Sequence, residues 1–226
     1  MDLFKTCWDS LKWSAVSCSK NVGRWIGMSL LMCIPVAHFI PAGAFLKIFS
    51  GEEPSFAEAG RSFFKGFLLF VINVVYMFIP FILLAAGENL LQNKNSLGLG
   101  VILCILSVIL FIVLGLFQVP AVVNFARSGR ITRAFAFREI IALIGKTGPG
   151  QYVLSWFVLI IMNIALSLVL MLLVGLCGTF SVLISVIPVF GLLLLIVFCT
   201  VTGIVYLLLA PLIAMWYNKY WNAVFE

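Results

Sequence analysis

Long apolar runs separated by short polar connections dominate the pattern along the chain. A membrane-spanning helix needs about 20 mostly apolar residues. The longest run, from Tyr152 to Tyr217, contains no charged residue and is too long for one span. We place a helix break within it, at the small and polar residues from Gly175 to Ser181. The pattern therefore predicts four spans, at 67–87, 97–119, 152–177 and 182–212.

The segment 22–49 is also apolar enough to cross a membrane, but two prolines interrupt it. Pro35 and Pro41 flank His38, and Gly43 follows shortly after. Each proline removes a helical N–H donor and clashes with the preceding turn. Two interpretations follow. The segment is either one kinked span, which makes five spans in all, or a broken, re-entrant hairpin that enters and leaves on the same side.

The distribution of positive charge separates these two interpretations. Lysine and arginine accumulate in the connections that remain on the cytoplasmic side. A full crossing by 22–49 splits the 14 Lys and Arg residues nine to five, whereas a hairpin places 13 of them on one side. We therefore favour the re-entrant or broken hairpin, with both termini in the cytoplasm. Neighbouring helices must then satisfy the backbone groups that the prolines free, because lipid cannot.

Two further segments show the spacing of amphipathic helices that lie along the membrane interface. The segment 1–21 repeats apolar residues at helical intervals: Phe4, Trp8, Leu11 and Ala15. The segment 130–146 does the same in a predicted cytoplasmic helix: Phe137, Ile140, Ile141 and Ile144. A third aromatic patch, from Trp216 to Trp221, is expected at the level of the headgroups.

The composition supports a membrane location for the whole chain. Hydrophobic residues make up 64% of the sequence, charged residues only 10%, and the mean hydropathy is +1.22. A soluble domain usually has about a quarter of its residues charged. We predict an all-α, polytopic transmembrane helical bundle that forms a single integral membrane domain over 1–226, located in the cell (plasma) membrane.

Three groups of residues resemble a known family of membrane proteins. They are Ile34-Pro35-Val36-Ala37-His38 with Gly51-Glu52-Glu53-Pro54, Gly66-Phe67-Leu68 with Ile79-Pro80, and Ala126-Arg127-Ser128-Gly129-Arg130 with Gly148-Pro149-Gly150. The sequence is similar to the domain-of-unknown-function family 4013 of archaeal and bacterial multi-pass membrane proteins. The resemblance covers most of the chain and implies an architecture, but no catalytic residues. Ala136 departs from the family pattern, which has an N-capping residue there, and implies a weaker helix start.

Basic residues near the predicted membrane surfaces are the most informative charged feature. The candidates for contact with anionic headgroups or with an acidic partner are Lys20, Arg24, Arg127, Arg130, Arg133, Arg138 and Lys146. Each such residue contributes about 1 kcal/mol near an anionic bilayer surface. The alternative is that they only fix the orientation of the chain, and the two roles are compatible. We interpret Arg138–Glu139 and Glu58–Arg61 as local surface pairs.

Polar residues inside the apolar segments have structural explanations. The predicted helix break contains Pro35, His38, Pro41 and Gly43. His38 is the only histidine and has no nearby Cys, Asp or Glu, so we expect it to bond a carbonyl freed by Pro41 rather than a metal. Asn73 and Asn163 lie within predicted spans, where amides more often join helices than line a pore.

The sequence contains no recognisable catalytic set. It has no phosphate-binding glycine loop, no paired carboxylates and no Cys-x-x-Cys pair, and its clear spans have no charge at their centres. We expect a non-enzymatic scaffold, accessory subunit or lipid-interacting module, in an oligomer or larger complex, with no cofactor, metal or nucleic acid. The alternative is a facilitator or small permease for apolar or neutral solutes, gated by the Pro35–Pro41 hairpin.

Overall fold

The structure is a computed structural model that describes residues 2–55, 58–92, 96–184 and 188–226. These residues form α-helices and two 3₁₀ segments, Leu46–Ser50 and Ile131–Phe135, and no strand. The helices are α1 (Leu3–Lys20), α2 (Val22–Cys33), α3 (Phe39–Phe45), α4 (Ala59–Leu91), α5 (Leu97–Ser128), α6 (Phe137–Thr147), α7 (Pro149–Ile184) and α8 (Pro188–Val224). The predicted all-α fold class is confirmed.

Three helical stretches in the described residues are long and apolar enough to cross a membrane. They are α4, α5 and the part of α7 from Pro149 to Leu168. They contain the predicted spans 67–87 and 97–119 and most of the one at 152–177. The prediction of a span at 182–212 falls largely on α8 and on residues outside that search, so the total of four spans stays a prediction.

The break between the last two long helices lies later than the sequence pattern indicates. Helix α7 continues through Gly175 and Ser181 to Ile184, and α8 begins at Pro188. Glycine is tolerated inside membrane helices, so glycine-rich composition alone does not end one. Proline fits the first position of a helix, where no N–H is needed, and it begins α8. Residues 185–187 lie outside the described part of the chain.

The segment 22–49 is broken, as its prolines predict, but only Pro35 lies in the break. Helix α2 ends at Cys33, and α3 begins at Phe39 after the non-helical residues 34–38. Pro41 instead lies in the first turn of α3, where backbone N–H groups have no helical acceptor in any case. Whether the segment re-enters the membrane stays a prediction.

The sequence predicts one domain over 1–226, whereas the helices group into two compact units. Unit 1 contains α1, α2, α7 and α8. Unit 2 contains α3 to α6 with both 3₁₀ segments and also takes in Phe225. The change of unit falls after His38, in the break between α2 and α3. The two halves of the segment 22–49 therefore pack separately, α2 on α8 and α3 on α4.

Close backbone approach holds the helices of unit 2 together. A Cβ atom added to Gly43 of α3 would collide with the carbonyl oxygen of Ser62 in α4, and one added to Gly66 would collide with the carbonyl of Phe39. Between α4 and α5, the Ser107 hydroxyl donates to the carbonyl of Pro80 over 2.8 Å. That carbonyl belongs to a proline inside α4. Small residues at membrane helix interfaces allow such approach.

Unit 1 packs α1 against α8 through small residues rather than through its apolar stripe. The buried residues of α1 are Leu3, Cys7, Ser10, Ser14, Ser17 and Cys18. Trp216 of α8 is 1% exposed and donates its indole N–H to the carbonyl of Cys7 over 3.1 Å. Burial raises the pKa of the Cys7 thiol to about 11.

The predicted interfacial patch is buried within unit 1 at Trp216, Tyr220 and Trp221, and its placement at the level of the headgroups stays a prediction. Trp221 is 0% exposed, and its ring packs 5.6 Å from Tyr152 and 5.3 Å from Trp156, measured between centroids. The Tyr220 hydroxyl donates to the carbonyl of Ser155 over 3.0 Å. These aromatic residues form the core of unit 1, because the small face of α1 leaves room for large rings.

Candidate membrane-interface site

Helix α6 is the best candidate for a functional surface, and a polar cluster attaches it to α5. The Arg133 guanidinium Nη1 lies 2.7 Å from Glu139 Oε1. The side-chain amide Nδ2 of Asn124, in α5, lies 3.1 Å from Glu139 Oε2 and 3.1 Å from the Arg133 carbonyl oxygen. The first turn of α6 is thereby bonded both to the preceding 3₁₀ segment and to α5.

This cluster corrects the pairing that the sequence suggests for Glu139. Adjacent residues on a helix point in different directions, so Arg138 is poorly placed for its neighbour. Arg133 reaches Glu139 across the non-helical Ala136. The hydrogen bond from Arg133 holds the pKa of the Glu139 carboxyl below its usual range, with a smaller contribution from Asn124. The predicted Glu58–Arg61 pair is present at 3.4 Å.

A tyrosine in α4 fixes the 3₁₀ segment from the other side. The Tyr76 hydroxyl donates to the carbonyl of Ala134 over 2.8 Å, and both residues are buried. The Tyr76 ring also stacks on Phe135, with centroids 5.7 Å apart and planes 13° from parallel. Tyr76 and Asn124 were not among the sequence candidates, because a polar side chain in an apolar helix carries no signal of its distant partner.

The predicted apolar stripe of α6 is partly buried against the rest of unit 2 and partly exposed. Ile140 is 0% exposed and faces unit 2, whereas Phe137 is 51% exposed and Ile141 57% exposed. Ile144 has intermediate exposure. The prediction of one helix over 130–146 is corrected by the interruption at Ala136, which separates the 3₁₀ segment from α6. Ala136 directly precedes α6 and has no polar side chain to cap its first turn.

The basic candidates of unit 2 differ in what they bind. Arg133 is paired with Glu139, and Arg127 lies 3.4 Å from the carbonyl oxygen of Phe225. The side chains of Arg130, Arg138 and Lys146 are exposed and have no ion-pair or hydrogen-bond partner among the described residues. These three cations lie along the segment that carries the exposed Phe137 and Ile141. Only this subset remains available for a ligand.

The two basic candidates of unit 1 lie where α1 ends and α2 begins. Lys20 is exposed in the last turn of α1, where a cation complements the carbonyl end of the helix dipole. Arg24 is half-buried in the first turn of α2. One residue further on, the Trp25 indole N–H donates to the carbonyl of Leu208 in α8 over 2.6 Å.

The polar residues predicted inside the spans are hydrogen-bonded to protein. Gln118 of α5, absent from the sequence candidates, donates its amide to Asn73 Oδ1 of α4 over 2.8 Å. Asn163 donates to the carbonyl of Leu159 in its own helix over 2.9 Å. His38 is exposed, and its backbone N–H donates to the carbonyl of Ile34 over 2.8 Å. Gly43 lies in α3 rather than in the break.

Potential metal-ligating side chains are dispersed in the part of the chain that the structure describes. No group of three or more His, Cys, Asp or Glu residues comes together within the described ranges. The cysteines Cys7, Cys18, Cys33 and Cys104 have free thiols. The candidate site is therefore α6 itself, an amphipathic helix that is bonded to α5 and has exposed cations on and beside it.

The matched family spans the elements that build this surface. Residues 26–175 match the family described as "Protein of unknown function (DUF4013)". The chain belongs to this family. In this DUF4013 protein the matched range contains α3 to α6 and both 3₁₀ segments, whereas α1 precedes it and α8 follows it. No curated protein and no solved structure matches the chain. Membership of this family, together with the long apolar helices, indicates that the chain is a membrane protein of unknown role.

Proposed function

We propose that this protein is a non-enzymatic membrane scaffold, accessory subunit or lipid-interacting module whose α6 surface binds anionic lipid headgroups. The observation that carries the proposal is the fixed position of α6. The Arg133–Glu139–Asn124 cluster and Tyr76 hold it against unit 2, while Phe137 and Ile141 stay exposed. An amphipathic helix with these features lies in the headgroup region, with its apolar residues entering the acyl boundary.

The exposed cations define the expected ligand. Arg130, Arg138 and Lys146 have no described partner, and each cation near an anionic leaflet contributes about 1 kcal/mol. In the proposed topology this surface and both termini face the cytoplasm, and the protein resides in the cell membrane. The 13-to-1 distribution of Lys and Arg under the hairpin interpretation supports that orientation.

The contact between Asn73 and Gln118 favours a scaffold over a solute facilitator. The two amides bond each other between α4 and α5 over 2.8 Å. This bond engages one N–H of Gln118 and the side-chain oxygen of Asn73 in helix packing, as amides inside membrane helices more often do than line a pore. Reconstitution into liposomes tests this part of the proposal. Flux of neutral solutes that rises in proportion to the protein added would contradict the scaffold role.

Lipid analysis after mild purification tests the α6 surface. We compare the anionic lipid retained by the wild type with that retained by R130Q/R138Q. The matched control is R61Q/K65Q, which removes two positive charges from the first two turns of α4, outside α6. R130Q/R138Q should lower anionic lipid enrichment roughly thirtyfold, because two cations contribute about 2 kcal/mol together. An equal loss in both variants, or in neither, would contradict a site at α6.

A further inference from the structure

We propose that a groove between α1 and α7 in unit 1 binds the headgroup of one zwitterionic phospholipid. The groove has a volume of about 520 Å³ and is lined by Asp2, Phe4, Lys5, Trp8 and Met162. Small-molecule sites typically have volumes of about 300–1,000 Å³. The groove is therefore large enough for a headgroup together with the upper part of an acyl chain.

Two opposite charges line this groove without neutralising each other. Neither the Asp2 carboxylate nor the Lys5 ammonium forms a salt bridge with any described residue. Asp2 is nevertheless held in place, because its Oδ1 accepts the backbone N–H of Lys5 over 3.2 Å at the start of α1. A second carboxylate oxygen remains for a ligand.

The helix that carries these charges is anchored. The indole N–H of Trp216 bonds the Cys7 carbonyl, and Lys219 lies 5.2 Å from the centre of the Trp13 ring. On the groove side, the ammonium of Lys12 lies 5.6 Å from the centre of the Trp8 ring. Because α1 is bonded to its own unit in this way, the backbone positions of Asp2 and Lys5 are set before a ligand binds.

Charge complementarity selects the ligand. A phosphate group fits the Lys5 ammonium, and a headgroup amine fits the Asp2 carboxylate, so a phosphoethanolamine lipid satisfies both. An anionic phosphoglycerol lipid satisfies Lys5 but leaves Asp2 without a cation. Below the charges, Phe4, Trp8 and Met162 provide an apolar wall for the glycerol backbone and an acyl chain. This selectivity differs from that proposed for α6, where the available side chains are all basic.

Native mass spectrometry of the purified full-length protein tests the proposal with three added lipids: a phosphoethanolamine lipid, a phosphoglycerol lipid and an uncharged diacylglycerol. The comparison is made in the R130Q/R138Q background, because the α6 surface of the wild type is itself expected to retain the phosphoglycerol lipid. In this background the protein should retain the phosphoethanolamine lipid about three- to fivefold better than the phosphoglycerol lipid, the difference expected for one partly exposed ion pair. D2N should remove that preference, while asparagine still caps α1. K5Q should weaken retention of both phospholipids, and K65Q, in α4 and outside the groove, should leave it unchanged.

Equal retention of the two phospholipids in the R130Q/R138Q background would overturn the proposal, as would an added D2N substitution that leaves the preference unchanged. Circular dichroism shows whether each variant keeps its helix content. If a variant unfolds, hydrogen exchange of the wild type replaces the comparison of variants as the test of the groove. Protection of the amides at 4–8 by a short-chain phosphoethanolamine lipid, and not by its phosphoglycerol analogue, supports the site, and equal protection overturns it. The α6 result is the anionic lipid lost when R130Q/R138Q is made, whereas this result is the preference measured in that background, so the two fail independently.

Discussion

Glu139 illustrates how one side chain acquires its role from residues distant in the sequence. Its carboxylate bonds Arg133 from the 3₁₀ segment and Asn124 from α5. Neither bond follows from helical spacing, because the chain between Arg133 and Glu139 is not a continuous helix. The sequence identifies the charged residues here, but only the path of the backbone decides which of them meet.

The first prediction is that α6 detaches from α5 and the 3₁₀ segment at acidic pH. Because Arg133 lowers the folded-state pKa of Glu139, the stabilisation is complete above the unfolded-state value of about 4.3 and is lost as the pH falls through the lower folded-state pKa. A spin label at A142C should therefore become more mobile in that acidic range. E139Q should show high mobility already at neutral pH, and R138Q should behave as the wild type. Unchanged mobility in E139Q would contradict the role of this ion pair.

The second prediction concerns Gly43, whose added Cβ would collide with the backbone carbonyl of Ser62. Backbone atoms cannot move aside as a flexible side chain can, so G43A should lower the free energy of unfolding by about 1–3 kcal/mol or more. The control is G60A in the first turn of α4, where a Cβ meets nothing within 4 Å. Denaturant titration in detergent micelles measures both variants. Similar stability of the two would count against the close approach of α3 and α4.

At the level of elements, α1 has two distinct surfaces: an exposed apolar stripe and a buried face of small residues. The sequence pattern emphasises its apolar stripe, yet Phe4 is 60% exposed and Trp8 47% exposed. The buried face consists mainly of serine and cysteine, whose size allows α8 and its aromatic rings to approach. Hydroxyls on this face bond back to the helix, as Ser14 does to the carbonyl of Ser10 over 3.0 Å. These hydroxyls therefore have hydrogen-bond partners within α1 and need none from α8.

The third prediction tests this docking through a matched pair of serines. Ser14 is 0% exposed in the face toward α8, whereas Ser19 is exposed on the same helix. S14L should displace α1 from α8, because the larger side chain has no space, and S19L should not. Faster trypsin cleavage at Lys12 and faster hydrogen exchange across α1 are the expected results for S14L. Equal protection in both variants would show that α1 is not held by this face.

For the whole molecule, the hairpin interpretation of the segment 22–49 predicts a topology that differs from that of a full crossing. Single cysteines at Ser19, Glu52 and Gln92, in a background without Cys33, separate the two, since all three positions are exposed. The hairpin predicts that S19C and E52C react with an impermeant maleimide from the same side of sealed vesicles and Q92C from the other. A full crossing predicts that S19C and Q92C share a side. Cys7 should stay unreactive, because its buried thiol has a raised pKa.

The sequence by itself determined the all-α class, the long apolar helices and the break beside Pro35. These follow from local chemistry, namely the run of apolar residues, helical spacing and the missing N–H of proline. The tertiary structure decided the division into two units, the burial of Trp216 and Trp221, and the partners of Arg133 and Asn73. Those features depend on contacts between residues far apart in the chain. Helical periodicity indicates which residues share a face, but not which helix will cover it.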